Sequence, residues 1–154
     1  MSKLKFDGAQ HQISLVDSTG NTVGTWAAYN NVDSHASIRS LENGIYTVQD
    51  RVAPHPHVPA VNGPYGLHGI VRFSVPGHPG IGVHAGRANA TWLPGPQHPT
   101  MGCIRTSDDA MSVIGNLMRR DALTTIEITN NNAAAAQAAS RRNRHANLRG
   151  RRRG

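Results

Sequence analysis

Two side chains that could do chemistry together, His84 and Cys103, stand nineteen positions apart. Cys103 is the only cysteine among 154 residues, so no intramolecular disulfide is open to it. A cysteine attacks as its thiolate and therefore wants a base within reach and a lowered pKa. His84 closes the short apolar run Ile81-Gly82-Val83, and Cys103 follows Gly102 at the start of another extended run. If the two segments lie side by side, the imidazole supplies the base. Backbone N–H groups around Gly102 and Cys103 could then stabilise an oxyanion, because glycine crowds nothing there. Arg105 would share the strand face of Cys103, where its guanidinium suits either a thiolate or a substrate carboxylate. The residues alone leave two other readings open: an inert buried cysteine, and part of a metal site.

Nine histidines invite the metal reading, and His55, His57, His68, His78, His84 and His98 could converge. No His-Glu-x-x-His is present and no second cysteine exists, so the spacing of a structural zinc knuckle is missing. Most of these histidines sit in Pro- and Gly-rich loops, where an exposed imidazole is ordinary. We assign no metal and no cofactor. Trp92, on the loop between the two motif halves, is a candidate for a cleft lid or a loop anchor. Tyr65 and His68, on the other long loop, are candidates for the opposite wall.

The elements that must position these groups read as mostly β. Residues 3–7 alternate and suggest a first edge strand, and 10–17 and 22–29 flank a Gly-containing turn as a hairpin. Ile13 and Leu15 should face the core, with Val23 joining them from the opposite strand. Residues 30–43 carry no periodicity and read as loop, before a strand over 45–50. The prolines and glycines of 53–69 argue for a long ordered loop. Strands are expected over 69–75 and 81–84, then a second Gly/Pro loop over 85–100. Ser107 is the expected N-cap of a helix, with Asp108 and Asp109 in its first turn and Met111, Ile114, Leu117 and Met118 on one face. Residues 124–129 form the closing strand. Trp26 and Phe73 are assigned to the core.

The charge is divided unevenly along the chain. Of the net +7, residues 1–130 contribute nothing, with nine basic and nine acidic side chains, and the last 24 residues hold seven arginines and no acid. A basic nucleic-acid-binding domain is therefore excluded for 1–130. Residues 131–154, Ala/Asn-rich and then Arg-rich, have no core-forming pattern and are expected to be a flexible tail, a solvated segment or one that meets an anionic surface or a partner protein. No run approaches eighteen apolar residues, so no transmembrane helix is expected, and the first residues show no secretory h-region.

Taken together, these segments resemble the catalytic domain of the L,D-transpeptidases, the YkuD-like family. Val83-His84-Ala85-Gly86 resembles the family's histidine-glycine strand end, and Thr100-Met101-Gly102-Cys103-Ile104-Arg105 resembles its Ser-His-Gly-Cys segment. Glu42-Asn43-Gly44-Ile45-Tyr46-Thr47-Val48 is similar to the family's Pro-x-Gly-x-Tyr strand, and the 13–29 hairpin to its opening, so the likeness covers about residues 3–129. The resemblance implies a mixed β-sandwich-like fold with one short helix after the nucleophile, a single catalytic domain over 1–130, and a monomer. It implies cysteine acyl transfer on L,D bonds of peptidoglycan stem peptides. Cys103 would be the nucleophile and His84 the base, the latter oriented by the Ala85 carbonyl. Gly102 and Arg105 would complete the catalytic set, with Thr100, Met101, Trp92, Tyr65, His68 and Ala85 around the substrate. Transpeptidation, D-amino-acid exchange and L,D-carboxypeptidation all fit this chemistry. The location implied is periplasmic or cell-wall-facing.

Three departures stand out. Met101 replaces the motif's second histidine, Thr100 replaces its serine and keeps a hydroxyl, and Ala85 delays the glycine by one position. A branch of antibacterial wall effectors, exported by secretion systems without a signal peptide, also tolerates a non-histidine before Gly-Cys, and the chain is similar to it in this. The alternative from a different class is a non-catalytic cell-wall or polyanion-binding module that uses the Arg-rich tail.

Overall fold

In this computed structural model the described residues are 1–131. Eight strands, one α-helix and one short 3-10 turn build two mixed sheets. The larger sheet has the order β3-β2-β1-β8-β4, from Thr22–Ala27, Gln12–Val16, Ser2–Asp7, Leu123–Thr129 and Gly44–Thr47. The smaller runs β5-β6-β7, from Ile70–Arg72, Gly82–His84 and Ile104–Arg105. Helix α1, Asp108–Met118, follows β7 directly. The architecture is mostly β, as expected.

Alternation decides what each strand of the large sheet buries. In β1, Ser2, Leu4 and Phe6 point inward while Lys3 and Lys5 point out. β1 is not an edge strand. It lies at the centre of the sheet, antiparallel to β2 and parallel to β8, so Leu4 faces Leu15 on one side and Ile126 on the other. The alternation of residues 3–7 alone cannot reveal a partner more than a hundred residues away.

The hairpin forms with a register that differs from the expected one. Ile13 pairs with Trp26 and Leu15 with Gly24, and a bulge separates Leu15 from Val16. Side chains of even number in β3 therefore face the core side, and Val23 points away, 43% exposed. Trp26 packs half-buried against the core and Phe73 is fully buried.

Helix α1 starts where its cap residue dictates. The Ser107 hydroxyl accepts from the Ala110 N–H at 3.1 Å, and Asp108 and Asp109 occupy the first turn. Its buried stripe, Ala110, Met111, Ile114, Leu117 and Met118, joins Leu4, Phe6, Ile126 and Ile128 of the large sheet and Val71, Val83 and Ile104 of the small one in a single core.

Backbone bridges tie the two sheets together. Tyr29, just past β3, pairs with Arg105 of β7, and Val48, just past β4, pairs with Phe73 beyond β5. Each of these strands thus continues into the other sheet. The central place of β1 sets a contrast in stability. Leu4→Ala should lower the unfolding free energy by about 3 kcal/mol, while Val23→Ala should change it by less than about 0.5 kcal/mol, read from urea midpoints at constant m-value.

Candidate active site

His84 closes β6, and Cys103 immediately precedes β7, its neighbour in the small sheet. β6 and β7 run parallel, with Val83 opposite Ile104 and His84 opposite Arg105. Register partners in a sheet share a face, so His84 and Arg105 project together. Cys103 stands two residues before Arg105, and Ile104 between them is buried in the core. Cys103 is half-buried, with Sγ 3.8 Å from the Gly80 carbonyl and within reach of the Gly82 N–H.

His84 is 3% exposed, and its Nδ1 lies 2.6 Å from the Ala85 carbonyl oxygen. A carbonyl only accepts, so Nδ1 carries the ring proton and Nε2 keeps the lone pair. Burial pulls the imidazole pKa down to about 4, against the Ala85 bond, with the charge of Arg105 and the nearby His57 adding to the fall. Burial also pushes the Cys103 thiol up, although the Gly82 N–H and the Arg105 charge oppose it. At neutral pH the thiol and the imidazole are therefore both neutral, not a preformed ion pair.

Arg105 is buried as deeply as His84, and four of its five N–H donors are engaged. Nε donates to the Ala85 carbonyl at 3.3 Å. Nη1 donates to the His98 and Pro99 carbonyls at 2.7 and 3.1 Å, and Nη2 to the Pro64 carbonyl at 3.1 Å. Burial and Arg87 lower its pKa to about 10, which leaves it charged at neutral pH. The guanidinium clamps the 53–69 loop and the 85–100 loop onto β7. The Ala85 oxygen receives both His84 and Arg105.

Thr100 and Gly102 shape the turn before the cysteine. The Thr100 hydroxyl donates to the Cys103 carbonyl at 2.7 Å and accepts from the Gly102 N–H at 3.2 Å. Gly102 sits at φ +135°, and a Cβ there would come within 2.5 Å of Ile38 and 2.8 Å of Ile81. Met101 between them is 60% exposed.

The remaining sequence candidates divide by location. Tyr65 lies edge-on to His84, with centroids 4.8 Å apart, and its other side stacks on His57 at 3.8 Å. Trp92 is 63% exposed and is linked to the site through His98, whose Nδ1 lies 3.0 Å from the Trp92 carbonyl. His68 is placed elsewhere. It lines a concavity of about 380 Å³ between the 53–69 loop and α1, with Pro54, His57, Asn116 and Arg119. Among the described residues no three His, Cys, Asp or Glu side chains gather as metal ligands. His55 and His57 instead meet edge to face, with His57 stacked on Tyr65.

Two participants were not singled out from sequence. His57 was set aside as one loop histidine among several, and only its stacking on Tyr65 distinguishes it. Asn30, in the aperiodic 30–43 segment, donates to the carbonyls of both Gly102 and Cys103.

No protein-family model matches the chain, and no curated protein matches it by sequence. Solved structures do match. The L,D-transpeptidase of Stackebrandtia nassauensis aligns with TM-score 0.53 and 13% identity, over 84% of this chain and 56% of that one. The L,D-transpeptidase of Xylanimonas cellulosilytica, residues 123–326, aligns with TM-score 0.51 and 17% identity, over 82% and 59%. L,D-transpeptidase 1 of Mycobacterium tuberculosis aligns with TM-score 0.49 and 17% identity, over 82% and 60%. The chain thus spans less than two thirds of each of these three structures. The fold is that of L,D-transpeptidase catalytic domains.

The buried imidazole makes stability depend on pH. Between about pH 6.5 and 4 the unfolded chain takes up a proton on His84 that the folded chain refuses, so stability falls as pH falls through this window. The loss should be about 3 kcal/mol from pH 7 to pH 4. His84→Gln should lack this component, as measured by urea unfolding at each pH.

Proposed function

We propose that the chain is a cysteine acyl-transfer enzyme of the L,D-transpeptidase type, acting on L,D bonds of peptidoglycan stem peptides. One observation carries the reading: His84 is pinned by Nδ1 to Ala85, leaving Nε2 available as a base, on the strand that pairs with the one the only cysteine leads into. The L,D-transpeptidase fold around that pair supplies the substrate class.

Because both partners rest neutral, proton transfer accompanies attack. Cys103 Sγ bonds to the carbonyl carbon of the L-centre as its proton passes to His84 Nε2. The resulting imidazolium keeps its Nδ1–H on the Ala85 oxygen. The carbonyl π pair becomes an oxyanion. The Gly102 N–H is taken by Thr100, so the donor left at this corner is the Cys103 N–H. Collapse expels the amine, which takes the proton from Nε2 and leaves a thioester. An acceptor amine, a D-amino acid or water then gives a proton to Nε2 and attacks the thioester, yielding cross-link, exchanged peptide or hydrolysed peptide and restoring the thiol.

Arg105 acts in this scheme by position. Its charge lies near both partners, yet its N–H groups serve four loop carbonyls, including the one that orients His84. Tyr65 walls the imidazole, and the exposed Trp92 and Met101 flank the approach as substrate-side groups. Placement at the cell wall follows from the substrate: the producer's own wall or, in the effector branch that Met101 suggests, a rival's.

Incubation with purified stem tetrapeptides and muropeptides, followed by mass spectrometry, should give acylated Cys103 and a processed peptide. Cys103→Ala should abolish both. His84→Gln should lower turnover by about 10²–10⁴-fold. The wild-type rate should lose its activity on the acid side only as pH approaches about 4, where His84 gains its proton. No turnover and no acylation by wild type would sink the reading. Wall binding that survives Cys103→Ala and disappears on removing 132–154 would instead favour the polyanion-binding module.

A further inference from the structure

Behind the Cys103 corner lies a buried amide that the scheme above does not use. Asn30 is 8% exposed and directs both ends of its side chain inward. Nδ2 donates to the Gly102 carbonyl at 2.9 Å and the Cys103 carbonyl at 3.2 Å. Oδ1 accepts from the Leu41 N–H at 2.7 Å and from Asn131 Nδ2 at 3.0 Å. The amide orientation is fixed by these partners, since a flip would set its oxygen against two carbonyls and its NH₂ against two donors. Asn131 is itself buried, and its Nδ2 also donates to the Leu41 carbonyl at 2.8 Å. Asn30 is thus bolted to Leu41 and Asn131 on one side and grips the nucleophile's backbone on the other.

The consequence follows from peptide geometry. The Gly102 carbonyl and the Cys103 N–H belong to one planar trans unit and point in opposite directions. Drawing the Gly102 oxygen into the interior therefore turns the Cys103 N–H outward. Thr100 fixes the preceding unit in the same way by accepting from the Gly102 N–H. Glycine at 102, with φ +135°, permits the turn that both grips require.

We propose that Asn30 is a positioning residue that aims the Cys103 N–H as an oxyanion donor, with Asn131 as its anchor. The inference rests on Cys103 as nucleophile and extends that reading to a residue outside the motif. It separates two reactions of the same thiol. Attack on an ester carbonyl builds an oxyanion and needs the aimed N–H. Displacement of iodide from iodoacetamide builds none.

The test compares Cys103 acetylation by p-nitrophenyl acetate, which releases p-nitrophenolate and leaves an S-acetyl group, with alkylation by iodoacetamide. The single cysteine lets intact-mass measurement report both. Asn30→Asp keeps the acceptor for Leu41 and Asn131 but removes both donors to the carbonyls. It should slow acetylation by about 10²-fold relative to alkylation. Asn131→Ala frees one anchor, leaves Asn30's own donors in place, and should lower the same ratio by about 3–10-fold. It serves as the readout if Asn30→Asp does not fold by circular dichroism. A ratio unchanged from wild type in the folded variants overturns the proposal. The ester replaces the natural substrate, so the two readings fail separately. An Asn30-dependent ratio without stem-peptide turnover overturns only the peptidoglycan assignment, and stem-peptide turnover with an unchanged ratio overturns only the role of Asn30.

Discussion

The site depends on one buried cation. Placing a guanidinium where only a few per cent of its residue meets solvent costs several kcal/mol unless its donors are matched. Here four of the five are matched by carbonyls from two loops, which also meet through the Arg87 N–H on the Gly63 carbonyl and the Asn89 N–H on Asn62 Oδ1. Pro64 belongs to one, and Ala85, His98 and Pro99 to the other. Prolines have no N–H and glycines no side chain, so loops built from them cannot fasten themselves by regular ladders. Arg105 adds to the loops' own contacts by holding both onto the strand beside His84. Its fork geometry suits the task in a way a lysine's single ammonium would not.

The same clamp settles the protonation state of the imidazole. Arg105 and His84 converge on the Ala85 oxygen, and a carbonyl already polarised by a cation is held where the Nδ1–H needs it. Burial keeps the ring neutral, and Arg105 and His57 add positive potential to the same end. A neutral base with a fixed tautomer beside a neutral thiol is stable at rest and reactive only when a carbonyl arrives to take the electron pair. Backbone orientation replaces the acidic third member of a triad, at the cost of a less basic imidazole.

Much of this was legible in the sequence, because local chemistry decides it. Ser107 with two aspartates after it had to start a helix, and the stripe Met111, Ile114, Leu117, Met118 had to be its buried face. The glycines around His84 and Cys103 announced close backbone approach. What stayed hidden depends on distant partners. β1 looked like an edge because its alternation says nothing about β8, and Val23 looked inward because a bulge between Leu15 and Val16 shifts the register. Asn30 sits in a stretch without periodicity, and its value comes from Gly102, Leu41 and Asn131, none of which is near it in sequence. Arg105 looked like a ligand for charge, and the carbonyls that occupy it come from loops whose paths no pattern predicts. Asn131, the first residue assigned to the tail, is buried in the domain, and the rest of 132–154 lies outside the described residues.

The unusual residue of the motif can now be placed. From 100 to 105 nearly every position is held by something specific. Thr100 carries two hydrogen bonds, Gly102 has no room for a Cβ, Cys103 has its carbonyl gripped twice, Ile104 is buried, and Arg105 is the clamp. Met101 alone turns its side chain to solvent. Its backbone is fixed through its neighbours, so exchanging the family's histidine for methionine leaves the corner's geometry to Thr100 and Asn30. A change confined to the one outward side chain alters what an arriving substrate touches and leaves the base, the thiol and their support in place. Under the proposed acyl-transfer reading, the departure from the motif therefore belongs to substrate handling, beside Trp92 and Tyr65, and leaves the proposed base and nucleophile untouched.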